Sequence, residues 1–167
     1  TNLINPLCLA LSPIALLVIL GYSYTKRFTA LCHLILGLGL ALAPIGAYLA
    51  VRGEFNIIPL FFSAAVLFWV SGFDIIYSLQ DEEFDKTHEL HSIPVQLGKK
   101  NALMLSNILH LLTFSALSIA GSLGGFSLYY WIGFSIFSAL LVYQHTLVKE
   151  NDLSKVNLAF FTTNGIA

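Results

Sequence analysis

The sequence predicts an all-α fold, a polytopic bundle of transmembrane helices forming a single domain over residues 1–167. Three observations predict it. Hydrophobic residues make up 57 % of the chain and charged residues 10 %, against about 45–50 % and about 25 % in soluble domains. The mean hydropathy is +0.80. The apolar residues fall in stretches of about 20, the length that crosses a bilayer, and short loops between them hold nearly all the charge. The surroundings are therefore the lipid bilayer. A net charge of −1 gives no reason to expect nucleic acid as a partner. Cys8 and Cys32 lie in apolar surroundings and suggest no disulfide framework.

Asn5-Pro6 opens the first span. Asn is a good helix cap, and Pro is tolerated in a first turn, where its missing N–H would be unpaired anyway. The span runs to Tyr22–Tyr24, with a kink expected at Pro13. A polar loop with Lys26 and Arg27 follows. The second span covers residues 30–51, and its Gly37, Gly39 and Gly46 are small enough to let a neighbouring helix approach. After the loop at Arg52–Asn56, the third span covers residues 57–77 and runs into the acidic stretch Gln80–Asp85. A loop over residues 82–99 precedes the fourth span, residues 101–121. Ser122–Gly125 is a tight turn, and the fifth span covers 126–147. A sixth begins near Val156 and has about 11 residues, short of the about 20 a span needs. With Thr1 first and an apolar run last, the chain reads as a domain incomplete at both ends.

Cations give the orientation. The loops at Lys26, at residues 81–100 and at Lys149 alternate with those on the other side. They hold Lys26, Arg27, Lys86, Lys99, Lys100, Lys149 and Lys155, leaving only Arg52 of the eight basic residues for the opposite face. Positive residues mark the cytoplasmic side, so the acidic stretch is expected there.

Asp74, Asp81 and Asp85 carry the chemistry. Spacings of seven and four bring all three within roughly 20° of one line on a continuous helix. Three stacked carboxylates need a cation, a basic partner or shared protons. Mg2+ takes oxygen ligands from one or two carboxylates, with waters and substrate phosphates completing its shell. A diphosphate on an isoprenoid tail suits the setting: the tail belongs in hydrocarbon and the headgroup at the water edge. Lys26 and Arg27 on the same side could contact phosphate oxygens, though such residues also serve as plain positive anchors. Tyr24 and Tyr77 could face an allylic cation or be interfacial belt residues. Gln80, Glu82 and Glu83 point off the stripe and read as solvated. His88 and His91 are weak metal candidates. His33, His110 and His145 read as packed or hydrogen-bonded.

At these residues the sequence resembles the UbiA-type intramembrane aromatic prenyltransferases. Asp74-Ile75-Ile76-Tyr77-x-x-Gln80-Asp81-x-x-x-Asp85 resembles the family's second aspartate-rich motif, and His91-Ser92-Ile93-Pro94 with Leu97-Gly98 its continuation. Tyr22-x-Tyr24-x-Lys26-Arg27-Phe28-Thr29 with Leu36-Gly37 resembles the loop and helix start upstream. Phe160-Phe161-x-x-Asn164-Gly165 resembles the start of the last helix. The resemblance implies nine spans, of which this chain holds about six, the last cut short. It implies Mg2+-dependent transfer of a polyprenyl group from polyprenyl diphosphate to an aromatic acid. Asp81 and Asp85 would be the Mg2+ ligands, and Asp74 would assist as a catalytic carboxylate. Lys26, Arg27, Tyr22, Tyr24 and Tyr77 would bind substrate.

The wording of the motif is closest to the 4-hydroxybenzoate polyprenyltransferase-like branch. That implies 4-hydroxybenzoate or a dihydroxynaphthoate as acceptor and a place in ubiquinone or menaquinone biosynthesis. The implied location is a bacterial inner membrane, with the site facing the cytoplasm. One motif is absent: no Asn-x-x-x-Asp-x-x-x-Asp occurs here, so half of the metal site is expected on helices outside the chain and the chain alone is expected to be inactive. Other readings are a haem O synthase-like member, an ion- or proton-coupled secondary transporter, and a non-catalytic scaffold. A transporter would place its acids deep within spans, where only Asp74 is a candidate.

Overall fold

The structure is a computed structural model and describes residues 4–166. Those residues are almost wholly helical, as expected. Helix α1 spans Pro6–Thr25, α2 Cys32–Arg52 and α3 Ile57–Ser78. A tight 3-10 turn at Leu79–Asp81 leads into the short α4, Glu82–Thr87. Helix α5 spans Ile93–Gly124 and α6 Leu128–Leu147. A wide π-type turn, Leu158–Thr163, and the short α7, Asn164–Ile166, complete it.

Helix ends follow the local sequence. Asn5 Oδ1 accepts from Cys8 N at 2.9 Å, capping α1, while its Nδ2 donates to Leu49 O at 2.8 Å and ties α1 to the far end of α2. Gly53 stops α2 with φ 69°, and its N–H returns to Leu49 O. Asn56 Oδ1 accepts from Ile58 N at 3.0 Å and caps α3.

Four helical segments are long and apolar enough to cross a membrane: Pro6–Thr25, Cys32–Arg52, Ile57–Thr87 and Ile93–Gly124. The third has 31 residues, or about 46 Å of helix. Hydrocarbon is about 30 Å thick, so its polar end from Leu79 onward stands at the water edge. Helix α6 matches the expected fifth span in length. Its Tyr129, Tyr130, Gln144 and His145 dilute its apolar character, and it is not among the four.

Two expectations about the connection after α3 need correction. Residues 82–99 are not a loop: α4 forms first, and α5 begins at Ile93. Ser92 has extended φ/ψ and Pro94 sits in the first turn, a favourable helix start. The helix is interrupted at Gly98, whose φ of 75° and ψ of 161° suit only glycine. A short amphipathic turn thus precedes the membrane-crossing part, and its polar residues had the look of a loop. The aspartate stripe is also not on one continuous helix, because the 3-10 turn lies between Asp74 and Asp85.

Helix α3 is the central element, packed between α2 and α5. Close approach depends on two glycines. A Cβ on Gly37 would collide with Ser71 and the Leu67 carbonyl, and one on Gly72 would collide with the His110 ring. Hydroxyls then bond across: Ser71 Oγ donates to His33 O at 3.1 Å, and Ser106 Oγ to Gly72 O at 2.7 Å. The core gathers where α3 ends, around the fully buried Ile75, Ile76 and Leu79 with Ala102, Val156 and Ala159. Helix α1 has no buried residue, and its Leu17 and Leu20 are exposed, as a lipid-facing helix requires.

Candidate active site

The three cation-bearing loops meet at one end of the bundle. His91 N donates to Lys26 O at 2.8 Å, joining the loop after α1 to the segment before α5. A charged cleft brings Glu83, Lys86 and Lys100 beside Glu150 and Asn151 from the loop after α6. The site lies at this end.

Lys26 caps the C-terminus of α1. Its Nζ lies 2.8 Å from Asp85 Oδ1, and Asp85 is 0 % exposed while Lys26 is 32 % exposed. The contact is an ion pair set off the angle of a hydrogen bond, so neither Asp85 oxygen has a hydrogen-bond partner among the described residues. The 3-10 turn leaves Asp81 on the adjoining cavity, and Asp85, one turn further on in α4, is buried behind Lys26.

A cavity of about 330 Å3 opens beside the pair, lined by Tyr22, Lys26, His33, Asp74, Tyr77 and Asp81, with Ser23, Cys32, Leu36 and Ser78. Asp74 is fixed from α2: its Oδ2 lies 2.7 Å from His33 Nδ1. Ile93 N, which can only donate, faces His33 Nε2 at 3.4 Å, so the proton on Nδ1 points at Asp74. Burial pushes the Asp81 carboxyl above its usual range; the Lys26 ammonium pulls it down, and the Asp85 and Asp74 carboxylates push it up again.

Five of the residues singled out by sequence therefore share one cavity: Tyr22, Lys26, Asp74, Tyr77 and Asp81. Asp85 sits behind it, joined through Lys26. Tyr24 and Arg27 do not line it. Both are exposed, and the Arg27 guanidinium lies 5.7 Å over the Tyr24 ring. Glu82, read as solvated, is buried and held by Lys86 at 2.5 Å and Lys99 at 3.7 Å. His33 and Cys32 were not picked out as site residues. The available signal was their position, in the first turn of a span directly after the Lys26 loop.

A second pocket of about 280 Å3, lined by Ile19, Tyr22, Leu36, Gly39 and Leu40, shares Tyr22 and Leu36 with the first. It is almost wholly apolar. A polar cavity thus adjoins an apolar one within the bundle. On the far side Tyr77 packs against Phe160 at 4.3 Å between ring centroids and against Phe161 at 6.1 Å.

Among the described residues, no three His, Cys, Asp or Glu side chains converge as a closed metal cage. The buried oxygens of Asp85, neither of which is hydrogen-bonded and one of which pairs with the Lys26 ammonium, and the half-buried Asp81 instead fit one side of a hard-cation site, completed by waters and phosphate oxygens.

The chain was compared with known proteins. The model of the UbiA prenyltransferase family matches residues 2–166. A 4-hydroxybenzoate octaprenyltransferase of Xanthomonas campestris pv. campestris (strain B100) is 28 % identical over 163 residues, covering 98 % of this chain and 54 % of the relative. Another protein of that name, from Francisella tularensis subsp. novicida (strain U112), is 30 % identical over 165 residues, covering 98 % and 57 %. The chain spans about half the length of the curated relatives it matches. The apo structure of a UbiA homolog from Aeropyrum pernix K1 superposes with a TM-score of 0.87 at 28 % identity, over 99 % of this chain and 63 % of that one. With its sequence matched from end to end and its helices laid out as in that homolog, the chain belongs to the UbiA prenyltransferase family.

Proposed function

We propose that the full-length protein transfers a polyprenyl group from polyprenyl diphosphate to an aromatic acid, 4-hydroxybenzoate or a dihydroxynaphthoate, in quinone biosynthesis, and that it requires Mg2+. One observation carries this reading. The cavity of Lys26, Asp74 and Asp81 adjoins an apolar pocket through Tyr22 and Leu36. A charged headgroup on a hydrocarbon tail needs that pairing. The names of the curated relatives support the aromatic acid as acceptor. The loop charges support a site on the cytoplasmic side of the membrane, and the bacterial sources of the curated relatives support a bacterial inner membrane.

Asp81 and Asp85 would hold the metal ion, which supplies charge neutralisation to the diphosphate and makes it a better leaving group. Lys26 turns from Asp85 to a phosphate oxygen, exchanging one charge-assisted contact for another. The allylic C–O bond breaks and its electron pair leaves with the diphosphate. Tyr22 and Tyr77 line the cavity in which positive charge would develop. A ring carbon beside the acceptor hydroxyl forms the new C–C bond, and the displaced ring proton goes to a base. Asp74, held by His33 at 2.7 Å, would be that base.

The test is prenyl transfer from geranyl diphosphate to 4-hydroxybenzoate by the purified full-length protein. Asp81→Ala is expected to lower kcat by about 10²–10³-fold, the scale of losing a preorganised electrostatic contact, with expression retained. Turnover equal to wild type in that variant would overturn the assignment.

A further inference from the structure

A cavity of about 480 Å3 lies between α5 and α6, away from the site described above. Phe114 lines it, as do the polar side chains of Asn107, His110, Ser138, His145 and Thr146. His110 is 4 % exposed. No carboxylate lines the cavity or bonds to either imidazole, so a charged ring there would be buried without a counter-ion. Each ring is therefore neutral, with one N–H and one acceptor nitrogen.

The bonding partners fix which nitrogen is which. His110 Nε2 lies 3.3 Å from Trp69 O. A carbonyl only accepts, so the single His110 proton is on Nε2. His110 Nδ1, 2.7 Å from His145 Nε2, must then accept, and His145 Nε2 donates. His145 Nδ1 is left with a lone pair and no partner among the described residues. The two hydroxyls turn their hydrogens away from the cavity, and Asn107 commits one of its two amide hydrogens to the helix backbone. Ser138 Oγ donates to Phe134 O and Thr146 Oγ1 to Tyr143 O, both at 2.7 Å. Asn107 Nδ2 donates to Leu103 O at 3.0 Å. The cavity offers acceptors and little to donate.

We propose that this cavity binds a neutral, membrane-dissolved phenol. Its O–H donates to His145 Nδ1 and its ring packs against Phe114. Its tail leaves past Leu111 and Val142, apolar side chains that line the cavity mouth and are exposed. No cation lines the cavity, so a carboxylate-bearing aromatic acid is refused. A quinone has only carbonyl acceptors and finds a single spare donor, the second Asn107 N–H, away from His145 Nδ1, whereas a hydroquinone shares the phenol chemistry. This site is independent of the prenyl-transfer reading and does not stand or fall with Asp81.

The experiment uses the full-length protein in lipid nanodiscs and measures saturable binding of tritiated 4-nonylphenol above that of empty nanodiscs. Unlabelled 4-nonylphenol should compete at least about tenfold better than 4-nonylanisole, which keeps the shape and lacks the donor. Tenfold is what one well-placed hydrogen bond supplies at the upper end of its net range. Decylhydroquinone competing as well as the phenol extends the occupants to reduced quinones; its failure to compete restricts them to monohydric phenols, and both results support the site. Equal competition by phenol and anisole, or no saturable component, overturns it. The preference should vanish in His145→Phe, and Phe114→Trp, which fills the cavity from the opposite wall, should abolish binding. A preference unchanged in either variant would place the phenol elsewhere and overturn the assignment.

Discussion

Removing the Lys26 ammonium would leave the Asp85 carboxylate buried beside no positive charge. Breaking a fully buried pair costs about 3–5 kcal/mol and a surface pair under about 1 kcal/mol. Asp85 is 0 % and Lys26 32 % exposed, so Lys26→Ala is expected to cost about 2–3 kcal/mol, between those limits, read as a lower Tm in detergent. Asp85→Asn added to Lys26→Ala should recover part of that loss. In kinetics, Lys26→Ala should raise KM for the prenyl diphosphate more than for the acceptor; equal rises would mean that only folding had suffered. At this scale the sequence was informative where charge was scarce. Lys26, Asp81 and Asp85 stood out because an apolar chain has few uses for them. His33 did not: it read as packed or hydrogen-bonded, which it is, and only the structure names Asp74 as its partner at 2.7 Å. Glu82 was misplaced for a related reason: its cations, Lys86 and Lys99, reach it through the fold of α4 and α5.

Helices meet here through specific small residues, and the two kinds of glycine make a direct comparison. Gly72→Ala pushes a methyl group into the His110 ring and is expected to cost about 1–3 kcal/mol, the scale of overpacking. Gly46→Ala meets nothing within 4 Å and should be neutral, or stabilising by up to about 1 kcal/mol through helix propensity. Thermal unfolding of the two variants side by side checks this, and equal effects would mean that α3 and α5 are not in close contact at Gly72. The spans were legible because length and apolar composition are set by the bilayer itself. The connection from Leu79 to Gly98 was not. A change from α to 3-10 geometry over Leu79–Asp81 and a positive φ at Gly98 leave no periodic mark in so short a stretch, yet the first breaks the continuous helix expected of Asp74, Asp81 and Asp85 and the second interrupts α5.

The whole molecule is polarised. Three cation-bearing loops meet at the end that holds the site, while Asn5, Gly53 and Asn56 mark the other. In a protein with Cys8 and Cys32 replaced by Ala, Glu150→Cys and Glu89→Cys should react with a membrane-impermeant maleimide only in inverted vesicles. Glu54→Cys should react only in right-side-out vesicles. Labelling of residues 54 and 150 from the same side would overturn the topology. The polarity could be read from the sequence because seven of eight basic residues fall in alternate loops. The adjoining polar and apolar pockets could not, because Tyr22, Leu36 and Asp74 come from three different helices.

The ion pair between Lys26 and Asp85 also bears on biogenesis. A chain is made from its N-terminus, so Lys26 reaches the membrane surface before Asp85 has been synthesised. The acid is then buried against a partner already in place. Had α1 been threaded the wrong way up, Lys26 would lie on the opposite face and Asp85 would be left desolvated and alone. The contact that borders the site thus also reports whether α1 was inserted correctly.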